Sequence, residues 1–229
     1  SRISDENLKK IRAAGLNRIH IGMESGSDTV LQLVKKGVDK ATQIRAGQKV
    51  KTAGIELSEY FMPGLGGAAL SREHALESAD ALNRIDPDFI RLRSLALPAA
   101  APLTQDYIGG DFDKMGEVET VRELLLFLES LDGISSSVRS DHVLNLFSEV
   151  NGTLPADRER MIRPLRRFLD LDPMDQMIFC LGRRTHRLGS LDDLDNPALR
   201  EPVYRLCLEH GATPENMDEI IDSIMQRFI

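Results

Sequence analysis

The chain has 229 residues, 41% hydrophobic and 28% charged, with a net charge of −7. That is ordinary globular material, enough for one large domain or two small ones. It excludes the disordered class, and no apolar run nears the roughly 18 residues of a membrane-spanning helix. Residues 1–112 hold 15 Lys and Arg against 14 Asp and Glu, whereas residues 113–229 hold 14 against 22. The acidic second half argues against general nucleic-acid binding through that surface.

The sequence opens at Ser1 without a signal-peptide pattern and reads as part of something longer. Ser4-Asp-Glu-Asn7 predicts a capped helix closed by Gly15. A strand follows over 18–24, with Ile19, Ile21 and Met23 on one face and His20, Gly22 and Glu24 on the other. Ser27 or Asp28 caps the next helix, Gly37 interrupts it, and a further helix runs over about 39–53. The second strand, about 55–62, ends in Pro63-Gly-Leu-Gly-Gly67. Ser71 starts a helix stopped by Asp86-Pro87, and a third strand, Phe89–Leu95, enters a Pro/Ala-rich loop. Strands separated by helical crossovers must lie parallel, so the fold class is α/β.

Beyond about residue 112 the strand signal stops, and the division predicted is 1–112 for the α/β part and 113–229 for an all-helical domain. Helices are expected around Val118–Leu128, from Ser140 through Leu144 and Phe147, and over 156–169 with a kink or break at Pro164. Two more begin at Asp172-Pro173 and Thr213-Pro214, the last carrying Met217, Ile220, Ile221, Ile224 and Phe228 on one stripe. Cys180 and Cys207 match no zinc or iron–sulfur spacing and read as buried thiols of a reducing, cytoplasmic protein.

Ligands of parallel α/β folds gather at the C-terminal ends of strands. All three strands carry unusual residues there: Glu24-Ser25-Gly-Ser27, the Gly64/Gly66/Gly67 turn, and Arg91 with Arg93. The ordered pieces Arg18-Ile-His-Ile-Gly-Met-Glu-Ser-Gly-Ser-Asp28, Lys36-Gly37 and the glycine-ended second strand resemble the second half of a radical SAM (S-adenosylmethionine) core. The resemblance covers about residues 1–105 and is closest to the oxygen-independent coproporphyrinogen oxidase and methylthiotransferase branch. It implies the fourth to sixth strands of a partial parallel β/α barrel. It further implies that Glu24 bonds the SAM ribose, with Ser25 at the neighbouring turn, that Lys36 on the following helix meets the SAM carboxylate, and that Gly64 and Gly66 lie near the adenine. Tyr60 stands where some relatives carry an acidic residue. Arg91 and Arg93 are read as holding an anionic substrate or SAM itself.

The family's four-iron four-sulfur cluster is held by a C-x3-C-x2-C loop after the first strand, and this sequence has none. The resemblance therefore implies an enzyme that cleaves SAM to a 5′-deoxyadenosyl radical acting on an unidentified substrate, with this chain inactive alone. A truncated barrel edge predicts some self-association. The other reading of these residues is a closed β/α barrel binding a phosphorylated metabolite. His20 reads equally as a core histidine or a substrate contact, and His74 and His210 read as surface residues. Ser140-Asp-His-Val-Leu-Asn145 cannot form a triad from consecutive residues, so Ser140 reads as a helix cap. In that helix Asp141 and Asn145 would share a face. Arg183-Arg-Thr-His-Arg187 reads either as cations at a helix C-terminus or as an anchor for phosphate, carboxylate or RNA.

Overall fold

The computed structural model describes residues 3–225; Phe228 of the last predicted stripe lies outside them. Ser4 caps α1 (Asp5–Ala13), accepting from the Asn7 amide at 3.2 Å. β1 (Arg18–Glu24) leads into α2 (Asp28–Leu33), capped by Ser27, and α3 (Lys40–Thr52), capped by Asp39. β2 (Glu56–Phe61), α4 (Gly67–Ile85) and β3 (Phe89–Leu92) complete the predicted rhythm, although α4 begins at Gly67, ahead of Ser71.

The second half departs further from expectation. The Pro/Ala-rich loop contains α5 (Pro102–Gly109), started by Pro102, and α6 (Glu117–Ser130) follows as predicted. Then come two short strands that the sequence pattern did not show, β4 (Ser137–Arg139) and β5 (Gly152–Thr153). The region is therefore not all-helical. The helix expected from Ser140 is absent: residues 140–151 form turns between the two strands. α7 (Arg158–Leu169) runs through Pro164 without a break, held by the burial of Met161, Ile162, Leu165 and Phe168 along one side. α8 (Pro173–Arg184), a 3-10 turn (Leu191–Asp195), α9 (Pro197–Glu209) and α10 (Met217–Met225) close the fold.

The sheet order is β1-β2-β3-β4-β5, parallel except for the last pair. Sequential parallel strands joined by crossovers of one hand place their helices on one face of the sheet. Leu57, Phe61, Ile90, Leu92 and Val138 supply that face, and Phe61 stacks on Phe127 of α6 with ring centroids 3.8 Å apart. Each such buried side chain contributes about 1.5–3 kcal/mol. Farther along, Phe147, Phe168 and Phe179 pack on one another at centroid distances of 5.3–5.7 Å. The opposite face carries Arg18, His20, Ser58, Tyr60 and Arg91 by strand alternation.

Candidate functional site

Glu24 ends β1 in the left-handed region (φ 63°), just after a register shift against β2 between Ile21 and Glu24. A non-glycine residue there costs about 1 kcal/mol or more. The twist turns the carboxylate back over the strand, where Glu24 Oε1 lies 3.5 Å from Lys36 Nζ. Gly22 makes this arrangement fit: a Cβ on it would overlap Glu24 Oε1 and come within 3.4 Å of Lys36 Nζ. Both side chains are partly exposed, at 21% and 32%, so the pair stays open to a ligand. Lys36 sits in the link between α2 and α3, not on a helix as predicted.

Ser25 is fully buried, which moves its hydroxyl from the rim to the interior. Its Oγ lies 2.8 Å from His74 Nδ1 and accepts from the Ser27 amide at 3.0 Å. His74 is not a surface residue: it is fully buried, with Nε2 2.9 Å from the Met62 carbonyl. Burial depresses its pKa to about 4, so the ring is neutral near pH 7. A carbonyl only accepts, so Nε2 carries the proton and Nδ1 accepts from the Ser25 hydroxyl. That hydroxyl is occupied by the fold, and the Ser25 amide is as well, donating to the Met23 carbonyl at 2.8 Å.

The second glycine-bearing turn is fastened in the same way. Gly64, at φ 89°, donates its amide to Glu123 Oε1 of α6 at 2.7 Å. Burial raises Glu123 to about 7. Gly66 faces α4, where an added Cβ would meet His74 Cβ at 3.1 Å. Glu59 of β2 went unnoticed in the sequence. Alternation sets it on the core side with Leu57 and Phe61, and burial, then the Glu24 charge, push it up to about 8.

On the open face, Tyr60 stacks on the exposed His20 with its hydroxyl 3.4 Å from His20 Nδ1. The Arg93 guanidinium lies 4.8 Å from the Tyr60 ring centroid. Arg91 and Arg93 both pair with Asp141, Arg93 Nη1 at 2.8 Å from Oδ1. Asp141 is held there by its neighbours rather than by a helix. Ser140 Oγ donates to the Phe147 carbonyl at 2.6 Å, and Asn145 Nδ2 donates to Ser140 Oγ and the Leu92 carbonyl. Asn145 Oδ1 accepts from Ser94 N and Oγ, both at 3.1 Å. These side chains satisfy the turn and the end of β3, which removes the need for helical hydrogen bonds.

The basic run is largely built into the fold. Arg184, 7% exposed, holds Glu117 at 2.6 Å and the Leu144 carbonyl at 2.7 Å. Arg183 donates to the carbonyls of Leu146 and Gly189 at 2.9 and 2.6 Å. A depression of about 720 Å³ runs along α7 among Glu159, Arg160, Arg163 and Arg166, on a different element from any strand end. A cavity of about 150 Å³ adjoins the end of β3, lined in part by Ser94, Leu95, Tyr107 and Lys114. Among the described residues no group of His, Cys, Asp and Glu could hold a metal ion, and no helix is long and apolar enough to cross a membrane.

Residues 1–79 match the radical SAM superfamily. The tRNA uridine(34) acetyltransferase of Methanocaldococcus infernus is 22% identical over 129 residues, covering 56% of this chain and 24% of its own length. Its counterpart from Methanocaldococcus jannaschii is 20% identical over 132 residues, with the same coverage. The chain thus spans about a quarter of the length of the curated relatives it matches. Among solved structures, the archaeal Methanocaldococcus infernus Elp3 with N-terminus deletion (1–46) superposes with a TM-score of 0.50 at 21% identity, over 61% of this chain and 33% of that one. At this identity the likeness is one of fold. The coproporphyrinogen oxidase and methylthiotransferase branch is not among these three.

Proposed function

We propose that Glu24, Lys36 and the Gly64–Gly66 turn form one wall of an S-adenosylmethionine site, a reading supported by the match of residues 1–79 to the radical SAM superfamily. The observation that carries this is the space at Gly22, which lets the Glu24 carboxylate lie beside Lys36 at the strand end. An ionised carboxylate accepts from two ribose hydroxyls, and a lysine ammonium suits the carboxylate of the methionine part. The Ser25–His74–Met62 chain of hydrogen bonds and the Glu123 bond to Gly64 fix both turns against α4 and α6. Arg91 stands farther round the open face, in register with Tyr60 and paired with Asp141.

The residues present do not fit an iron–sulfur cluster. Cys180 and Cys207 are both buried, and burial raises each thiol above its ordinary pKa. Cleavage of the cofactor to a 5′-deoxyadenosyl radical would need cluster ligands other than these, and this chain alone is expected to bind SAM without cleaving it. β1 is an edge strand within this chain, and its unpaired edge offers a surface for self-association. An RNA anchor at Arg183–Arg187 gains no support from the buried contacts of Arg183 and Arg184.

Titration calorimetry of the 229-residue chain with SAM tests the reading. Loss of hydrogen bonds to a charged group is worth about 1.5–3 kcal/mol, so Glu24→Ala should weaken binding about 10- to 100-fold. Glu24→Gln should weaken it less, since the amide oxygen still accepts. Unchanged SAM affinity in Glu24→Ala and Lys36→Met would remove the assignment.

A further inference from the structure

The open face of the sheet carries more positive charge than its partners neutralise. Arg91 on β3 is in register with Arg139 on β4, and parallel neighbours in register project their side chains to the same side about 4.8 Å apart. Arg93 lies two residues along from Arg91 on the same face. Asp141 is the carboxylate of this group. Although burial acts against its charge, the Arg93 hydrogen bond and the charges of Arg91 and Arg93 hold it ionised below the usual range. Among the described residues the Arg139 side chain has no ion pair or hydrogen bond, and Arg91 Nε is a buried donor with no acceptor. Elsewhere on this face Arg18 is already paired with Glu56 and Lys36 with Glu24. Three guanidinium groups around one carboxylate therefore leave two positive charges unmatched, in an arrangement where like charges on adjacent strands repel. Beside them, Tyr60 stacks with the exposed His20, and the Arg93 guanidinium lies over the Tyr60 ring.

We infer that Arg91, Arg93 and Arg139 form an anion subsite for the phosphate monoester of a small-molecule substrate whose planar part stacks beside Tyr60. A phosphate dianion matches the two unmatched charges, and its oxygens accept the forked donors that guanidinium groups present. Asp141 acts as the positioning residue, drawing Arg91 and Arg93 together while Arg139 stays open. The inference rests on the reading that this face of the barrel looks toward substrate.

Phenyl phosphate, which combines a dianion with one ring, is the probe, titrated calorimetrically into the 229-residue chain. Saturable binding is expected. Arg139→Gln should weaken it about tenfold or more, whereas Arg163→Gln, the same charge change at an exposed position of α7, should leave it unchanged. Arg139→Lys should recover part of the loss, and the melting curve of each variant reports whether it is folded. Tyr60→Leu should lower affinity for phenyl phosphate more than for inorganic phosphate. The proposal is overturned by absence of saturable binding, by an equal loss in Arg163→Gln, or by competitive displacement with SAM, which would return the arginines to the cofactor. It is also overturned if Arg139→Gln abolishes binding of a single-stranded RNA oligomer and leaves phenyl phosphate untouched. SAM affinity should be unchanged in Arg139→Gln, so failure here and failure of the Glu24–Lys36 assignment are separate results.

Discussion

Gly26→Ala is expected to destabilise the protein by about 3 kcal/mol, at the upper end of overpacking costs. A methyl group on Gly26 would overlap the Glu77 carbonyl oxygen and lie 2.7 Å from Ser78 Cα. Both are backbone atoms inside α4, so no side-chain rotation relieves the clash. The Gly26 amide also donates to Ser78 Oγ at 2.8 Å, which holds the turn against the same stretch of α4. Either α4 or the turn after β1 must move, and the turn carries Ser25 with its bond to His74. For a chain of this length the loss corresponds to a melting point lower by roughly 6–12 °C. Gly15→Ala, where an added Cβ meets nothing within 4 Å but φ is 105°, should cost less. A Gly26→Ala melting curve that overlays the parent would show that the helix and turn are not in contact as described.

Stability should fall as pH rises from about 5 to 8. Burial, then the Glu24 charge, raise Glu59 to about 8, and burial raises Glu123 to about 7; in the unfolded chain both ionise near 4.5. Between those values the folded state holds protons that the unfolded state has released. The stabilisation is complete below the unfolded value and is lost as pH climbs through the folded one. The slope is about 1.4 kcal/mol per pH unit for each such group. His74, lowered to about 4 against 6.5 unfolded, works in the opposite sense and adds stability as pH rises over that range. It offsets one of the two carboxyls up to about 6.5 and neither above it. The acid-side groups Asp88 and Asp141 are lowered below 3.8, so they contribute to this window as a constant. The steepest fall is therefore expected between about 6.5 and 7, with Glu59 alone carrying it on to 8. Chemical denaturation at pH 6, 7 and 8 checks this: the midpoint should drop, and Glu59→Gln should flatten the segment from 7 to 8. A midpoint that is level or rising across that range contradicts the burial of both carboxyls.

What the sequence disclosed and what it hid have physical reasons. The first three strands were legible because Ile19, Ile21 and Met23 alternate with polar residues, and because Ser4 and Ser27 cap helices where capping residues stand. β4 and β5 were not legible, since spans of three and two residues are too short to show a period of two. With β4 hidden, Arg139 could not be placed beside Arg91. The stretch from Ser140 carries Leu144 and Phe147 at helical spacing, yet Ser140 and Asn145 spend their side chains on the turn and on β3. His74 was misread because its partner Ser25 lies 49 residues away. A local hint existed: His74 and Ser78 are four apart and flank the Ala75 and Ala79 positions that pack in the core. Glu59 was the more readable omission, a carboxylate between Leu57 and Phe61 on an apolar face. Gly22, whose empty side lets Glu24 meet Lys36, marks the site more sharply than Ser25, which serves the fold.

Hydrogen exchange measured with and without SAM on the 229-residue chain addresses the proposed S-adenosylmethionine wall most directly. Slowed exchange confined to amides around 22–26, 36 and 62–67, lost in Glu24→Ala, is the result expected from a site built on Glu24, Lys36 and the Gly64 turn. Saturating SAM with no protection there, or with protection only along α7 and the helices after it, would contradict the assignment.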